Sequence, residues 1–179
     1  INEFVKLAYR IDFLSNEHIG QFSDRELQQH HIPYDASSPL NRIIWSTKLT
    51  YYISQLVKFR KYKFCYIRYS LGFVLFYPLL KLVLKGTQLI IEVNSFGSQR
   101  SQIFRILDYF AFKSCDVIIC ISKSVANDIS QSISSKLNDK ILLLPNGVDV
   151  SRFDSVKYDH PKKRIPRTVN IGYTGVIKP

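Results

Sequence analysis

From residue 63 onward, short runs of consecutive apolar residues alternate with segments of helical spacing, and this alternation restricts the fold more than any other feature of the chain. Residues 63–69, 88–93, 116–121 and 140–144 read as strands, with 73–84, 103–113 and 123–137 as the helices between them. Strands that are apolar along their whole length belong to a parallel sheet, and right-handed crossovers connect them. The expected class is therefore α/β, a parallel sheet with helices on both faces.

Boundary residues agree with this order. Ser122 stands where a helix N-cap belongs, and Gly86 follows Lys85 where a left-handed C-terminal cap belongs. Upstream the pattern is thinner. Residues 4–13 alternate like a strand, Ser23-Asp24-Arg25-Glu26 has the form of a capping box leading into a short helix, and 42–59 has helical spacing with a basic end at Lys58, Arg60 and Lys61. After the last apolar run, Pro145 ends pairing, Asn146-Gly147 tolerates positive φ, and Asp149 is positioned to cap the next turn. This stretch reads as a domain junction. Residues 154–167 are polar, basic and broken by Pro161 and Pro166, which marks a connector, and 168–173 resumes as a strand ending near Gly175.

The 179 residues, 46% hydrophobic and 22% charged, suffice for one well-covered core or for one domain and the opening of a second. The absence of methionine and the start at Ile1 make a fragment the expectation. A net charge of +11 favours anionic partners. The basic residues are dispersed without the aromatic interleaving of a single-strand groove, so nucleic acid is set aside and an anionic membrane surface on the cytosolic side is favoured. Cys65, Cys115 and Cys120 leave an odd thiol and no C-x-x-C spacing, which argues for reduced thiols in a cytoplasmic protein rather than a disulfide framework or zinc ribbon. The apolar stretch 71–84 is interrupted by Pro78 and Lys81 and falls short of the roughly 20 residues that span a bilayer. No secretory leader is visible. His18, His30, His31 and His160 have no ligand-type neighbours at metal spacing and are expected at the surface, so no metal site is expected. A triad of Asp12, His18 and Ser122 lacks a nucleophile elbow.

Open parallel sheets bind ligands outside the carboxyl ends of their strands. Those ends hold Arg68 with Tyr69 and Ser70, then 92–97, Ser122 with Lys123, and Asn146 with Gly147. Glu92 and Asn94 share a face if the strand is regular, and Arg68 on the neighbouring strand is the natural partner for Glu92, as a buried pair under the cleft. Ser122 precedes its helix where backbone N–H groups meet an oxygen, with capping as the simpler role.

Several of these words stand together in order. Cys65-Tyr66-Ile67-Arg68-Tyr69, Ile90-Ile91-Glu92-Val93-Asn94, the run from Asp116 to Lys123, Pro145-Asn146-Gly147-Val148-Asp149 and Ile171-Gly172-Tyr173-Thr174-Gly175 resemble, in register, the retaining family 4 of GT-B glycosyltransferases over about 63–179. The resemblance implies a Rossmann-like sheet that is one half of a GT-B enzyme. Residues 1–150 would form the acceptor-side domain without its first strand, 151–168 the interdomain linker, and 169–179 the first strand of a truncated donor-binding domain. It further implies metal-independent transfer of a hexose, without a cofactor, from a nucleotide-sugar as donor substrate to a polysaccharide or lipid-linked acceptor. Asn94 stands where the family often has a histidine; an amide orients a sugar hydroxyl but takes no proton at neutral pH. The implied substrate-binding set is Arg68, Glu92, Asn94, Ser122, Asn146, Gly147 and Gly175, with no catalytic residue assigned.

Departures from the family pattern are also plain. No glycine-rich first strand precedes Asn2, Gly175 is followed by Val176 where the family often has Arg, and Lys178 is too close to be the later Lys. The chain alone is therefore expected to lack donor affinity and turnover. The alternatives are another GT-B or nucleotide-sugar enzyme, such as an inverting transferase or an epimerase, and a non-enzymatic module docking on a membrane or partner through Phe73, Phe76, Tyr77 and nearby lysines.

Overall fold

In the computed structural model, which describes residues 11–15, 27–33, 38–99 and 101–147, the apolar runs pair side by side in one direction. In chain order the elements are β1 (Ile11–Ser15), β2 (Leu27–His31), α1 (Pro39–Phe59), β3 (Phe64–Arg68), α2 (Tyr77–Val83), β4 (Gln88–Val93), α3 (Arg105–Ser114), β5 (Val117–Cys120), α4 (Lys123–Asp128) and β6 (Ile141–Leu143). The last four strands form a parallel sheet in the order β3-β4-β5-β6, while β1 and β2 pair in parallel as a separate ribbon. The chain divides into two units, Ile1–Asn146 and Gly147–Pro179. Apart from Gly147, the described residues belong to the first.

The α/β reading with a parallel sheet and helices holds. The core collects on the sheet face that carries Leu89, Ile91, Val93, Ile118 and Cys120, against Tyr77, Leu80, Phe112 and Ile129 of the helical layer. Each fully buried Leu or Ile contributes about 1.5–3 kcal/mol. An unbroken strand order joined by right-handed crossovers carries successive helices to the same side, which accounts for this layer. Burial alternates along both β3 and β4 instead of running continuously, because the core packs against one face of the sheet. Phe64, Tyr66 and Arg68 face outward on the side away from the core.

α1 begins at Pro39, ahead of the boundary at Arg42 that its apolar spacing suggests. The Ser38 hydroxyl accepts the Asn41 N–H at 3.1 Å, and Pro39 suits the first turn because its missing N–H needs no partner there. The helix turns Ser46 and Thr50 inward, where Ser46 donates to the Gly72 carbonyl at 3.1 Å and Thr50 to the Ser46 carbonyl at 2.8 Å. Gly86 adopts φ +79°, the left-handed cap expected of it.

Two expected helices are divided. Residues 71–76 form a 3-10 turn and the α-helix starts only at Tyr77, because Pro78 belongs in a first turn and cannot donate to a preceding one. The segment 123–137 breaks into α4, a π turn over Ile129–Ile133 and a 3-10 turn over Ser135–Lys140. Ser134, extended at φ −170°, caps the new turn by accepting the Lys136 N–H at 3.3 Å. The short helix expected after Ser23-Asp24-Arg25-Glu26 is not formed by residues 27–31, which make β2; the capping-box residues themselves, residues 4–10, and everything from 148 onward lie outside the described residues. Phe73 and Tyr77, expected on a docking surface, are buried in the core, since the 3-10 turn rotates them inward.

His30 is not a surface histidine. Its Nε2 lies 2.6 Å from Asp12 Oδ1 and its Nδ1 2.6 Å from the Tyr52 hydroxyl, joining the ribbon to α1. Asp12, almost fully buried, also accepts from Arg60 at 2.6 Å and from Tyr62 at 2.7 Å. Burial works against its charge, but His30, Tyr62 and Arg60 outweigh it and hold the carboxyl below its ordinary range.

Candidate functional site

Parallel strands end along one edge of their sheet, so the tails of β3, β4, β5 and β6 share a rim, and the residues selected from sequence lie along it. Arg68 and Glu92 are register partners on β3 and β4, with Arg68 Nε 3.7 Å from Glu92 Oε1. With the Asn94 amide oriented to satisfy both neighbours, its nitrogen donates to Glu92 at 3.2 Å and its oxygen accepts from Arg68 Nε at 3.0 Å and from Nη2. Tyr66, one pleat earlier on the same face as Arg68, donates its hydroxyl to Glu92. Burial of that hydroxyl and its bond to Glu92 push its pKa up to about 12, so it remains a donor.

The expected buried ion pair is a half-open one. The Arg68 side chain is 70% exposed and that of Glu92 21%. The reason is position: both side chains stand on the sheet face turned away from the core, where Tyr66 and Arg68 are exposed. An exposed guanidinium held by a carboxylate and an amide is oriented yet still carries N–H groups for a ligand.

The loop after β4 forms the floor of this rim. Tyr69 donates to Asp108 Oδ1 at 2.5 Å, the Ser98 N–H donates to Asp108 Oδ2 at 2.6 Å, and the Gly97 N–H donates to the Tyr69 hydroxyl at 3.2 Å. Asp108 has no exposed surface. Burial, and then the bond to Asp108, raises the Tyr69 pKa far above the ordinary phenol range. A Cβ added at Gly97 would lie 2.8 Å from both Leu71 Cδ1 and Phe104 Cβ, so only glycine fits this approach. Gln99 Nε2 donates to Asp128 Oδ2 at 2.8 Å and ties the loop to α4.

The other selected residues are less engaged. The Ser122 hydroxyl accepts the Val125 N–H at 3.3 Å, so it is occupied as an N-cap. Asn146 and Gly147 are exposed past the end of β6, and a Cβ at Gly147 would meet nothing within 4 Å. Gly147 does not adopt the positive φ its turn chemistry permits. Gly175 lies outside the described residues. The rim thus brings together Arg68, Glu92 and Asn94. Tyr66 and Asp108 were missed, although an acidic residue on the apolar face of a helical pattern was a visible signal for Asp108. No metal-ligand cluster occurs among the described residues.

A family model described as Glycosyltransferase Family 4 matches residues 1–152. A comparison with curated proteins finds no match.

Proposed function

Because the chain belongs to glycosyltransferase family 4, we propose that it supplies the acceptor-side domain of a retaining GT-B enzyme that moves a hexose from a nucleotide-sugar to a polysaccharide or glycolipid hydroxyl. The observation that carries this reading is the Arg68, Glu92 and Asn94 cluster at the carboxyl edge of the sheet. A sugar presents neighbouring hydroxyls that both donate and accept. The cluster answers with a donor-only guanidinium, an acceptor-only carboxylate and an amide that does both.

On this reading Arg68 and Asn94 orient the acceptor and Glu92 fixes their geometry. Neither Arg68 nor Asn94 takes up the acceptor proton: an amide is no base at neutral pH, and a guanidinium is already charged. The acceptor oxygen bonds to the donor's anomeric carbon as the bond from that carbon to the diphosphate breaks, and the acceptor proton goes to the departing diphosphate. Rate enhancement then rests on positioning and on stabilising that leaving group rather than on a base from this cluster. Donor binding is assigned to a second domain reached through 151–168 and begun by 169–179, Gly175 included.

Saturation-transfer NMR of the full chain tests the division of labour, with UDP- and GDP-hexoses in one panel and oligosaccharides or lipid-linked glycans in another. Acceptor-type glycans should bind, nucleotide-sugars should not, and Arg68→Ala and Asn94→Ala should each weaken glycan binding about tenfold. Arg68→Ala should leave stability within about 1 kcal/mol, because the Arg68 side chain is itself mostly exposed, so lost binding is not lost fold. Nucleotide-sugar binding in place of glycan binding would reverse the domain assignment.

A further inference from the structure

Helix α1 is apolar on its outer face as well as on the face it turns to the core. Its inward side buries Leu49 and Ile53 beside Ser46 and Thr50, while Leu40, Ile43, Ile44 and Tyr51 are exposed, Tyr51 by 66%. The neighbouring segment does the same: Leu75, Leu79 and Leu82 are exposed, Leu82 by 72%. Between α1 and α2 runs a groove of about 200 Å³, lined chiefly by Thr47, Thr50, Tyr51, Phe76, Leu79 and Val83. Apolar side chains concentrated on one outer surface mark an interaction face.

Charge identifies the occupant. No Asp or Glu stands between Asp35 and Glu92, the stretch that forms both helices, whereas Lys and Arg recur from Arg42 to Lys85. Lys48 follows the groove residue Thr47, Lys85 lies two residues past Val83, and both are exposed. A second copy of the chain would set this acid-free, cationic surface against itself, which like-charge repulsion disfavours. A bilayer with anionic headgroups meets both demands, since its acyl boundary takes Leu and Tyr while its phosphates take Lys. We infer that the α1–α2 face docks on an anionic lipid bilayer, with Leu75, Leu79, Leu82 and Tyr51 entering the headgroup boundary and Lys48 and Lys85 contacting lipid phosphates. No described helix is long and apolar enough to cross a membrane, so the contact lies in the plane of the surface. This goes beyond the transferase reading and stands apart from it, because it concerns the helical layer and is read by binding, not turnover.

Vesicle co-sedimentation of the full chain tests it, comparing pure phosphatidylcholine with an equimolar mixture of phosphatidylcholine and phosphatidylglycerol. The chain should sediment with the anionic vesicles, less so as salt rises, and Lys48→Ala and Lys85→Ala should each lower partitioning about fivefold. Leu79→Glu combined with Leu82→Glu should abolish binding while the thermal unfolding midpoint stays close to that of the parent, as both sites are exposed. The lysine variants touch no packing and keep the test valid should the leucine variant unfold. Equal sedimentation with both vesicle types, or binding unchanged in the lysine variants, overturns the inference. A dimer in sedimentation velocity that Leu82→Glu disrupts, without vesicle binding, overturns it in favour of a second copy.

Discussion

Tyr69 donates its hydroxyl to Asp108 at 2.5 Å, joining the residue after β3 to the inward side of α3 and holding the loop beyond β4. The same carboxyl group takes the Ser98 N–H, so one buried side chain satisfies two donors from different elements. Tyr69→Phe leaves Asp108 short of a partner and should cost about 1–3 kcal/mol in urea unfolding. Asp108→Ala should cost more, because it strands the Tyr69 hydroxyl and the Ser98 N–H and opens a cavity. Indistinguishable urea midpoints for parent and both variants would show that the network carries no stability.

Gly97 and Gly86 should respond to alanine for different reasons. At Gly97 the added methyl meets Leu71 and Phe104 at 2.8 Å, an overpacking cost of about 1–3 kcal/mol with displacement of the rim loop. At Gly86 the space is open but φ is +79°, a backbone penalty of about 1–2 kcal/mol with the rim undisturbed. Backbone amide NMR shifts should therefore spread to 94–99 in Gly97→Ala and remain near 86 in Gly86→Ala. Spreading in both variants would contradict the assignment.

Acid should loosen the fold through two carboxyls. Asp12 is held low by His30, Tyr62 and Arg60 against the opposing effect of burial. At Asp116 burial likewise opposes charge, but Lys81 at 2.5 Å and the Leu89 N–H at 2.7 Å prevail. A folded-state value below the ordinary 3.8 means the stabilisation is complete above that value and is lost as pH falls through the lowered one. Urea midpoints measured from about pH 7 down to about pH 2 should drop below roughly pH 4, and Asp12→Asn should flatten that drop while lowering the plateau. A drop of equal size in Asp12→Asn would assign the acid sensitivity to other groups.

The thiols should be inert in the native state. Burial pushes Cys65 and Cys120 up to about 11 and Cys115 up to about 12, so each is protonated at neutral pH. Ellman's reagent should react slowly with the folded chain and with all three cysteines at once in urea. Prompt labelling of Cys115 or Cys120 under native conditions would mean that the core opens locally.

The strands, their direction and the shared rim were legible from residues because each apolar run is bounded by its own turn chemistry, as at Gly86 and Ser122. Arg68, Glu92 and Asn94 were also legible, since strand register alone makes neighbours of the ends of β3 and β4. The anchoring side chains were not. Asp12 to Arg60, Tyr69 to Asp108 and Lys81 to Asp116 are separated by long stretches of chain, and no local period signals which distant polar groups will meet.

Local composition decided where backbone extends, coils or turns, because hydrogen-bond geometry, capping and proline's missing donor act within a few residues. Which apolar side chains sit inside was settled only by assembly. Phe73 and Tyr77 entered the core while Leu79 and Leu82 stayed out, although all belong to one apolar run, because burial depends on which neighbour occupies the space across from a residue and not on the residue itself.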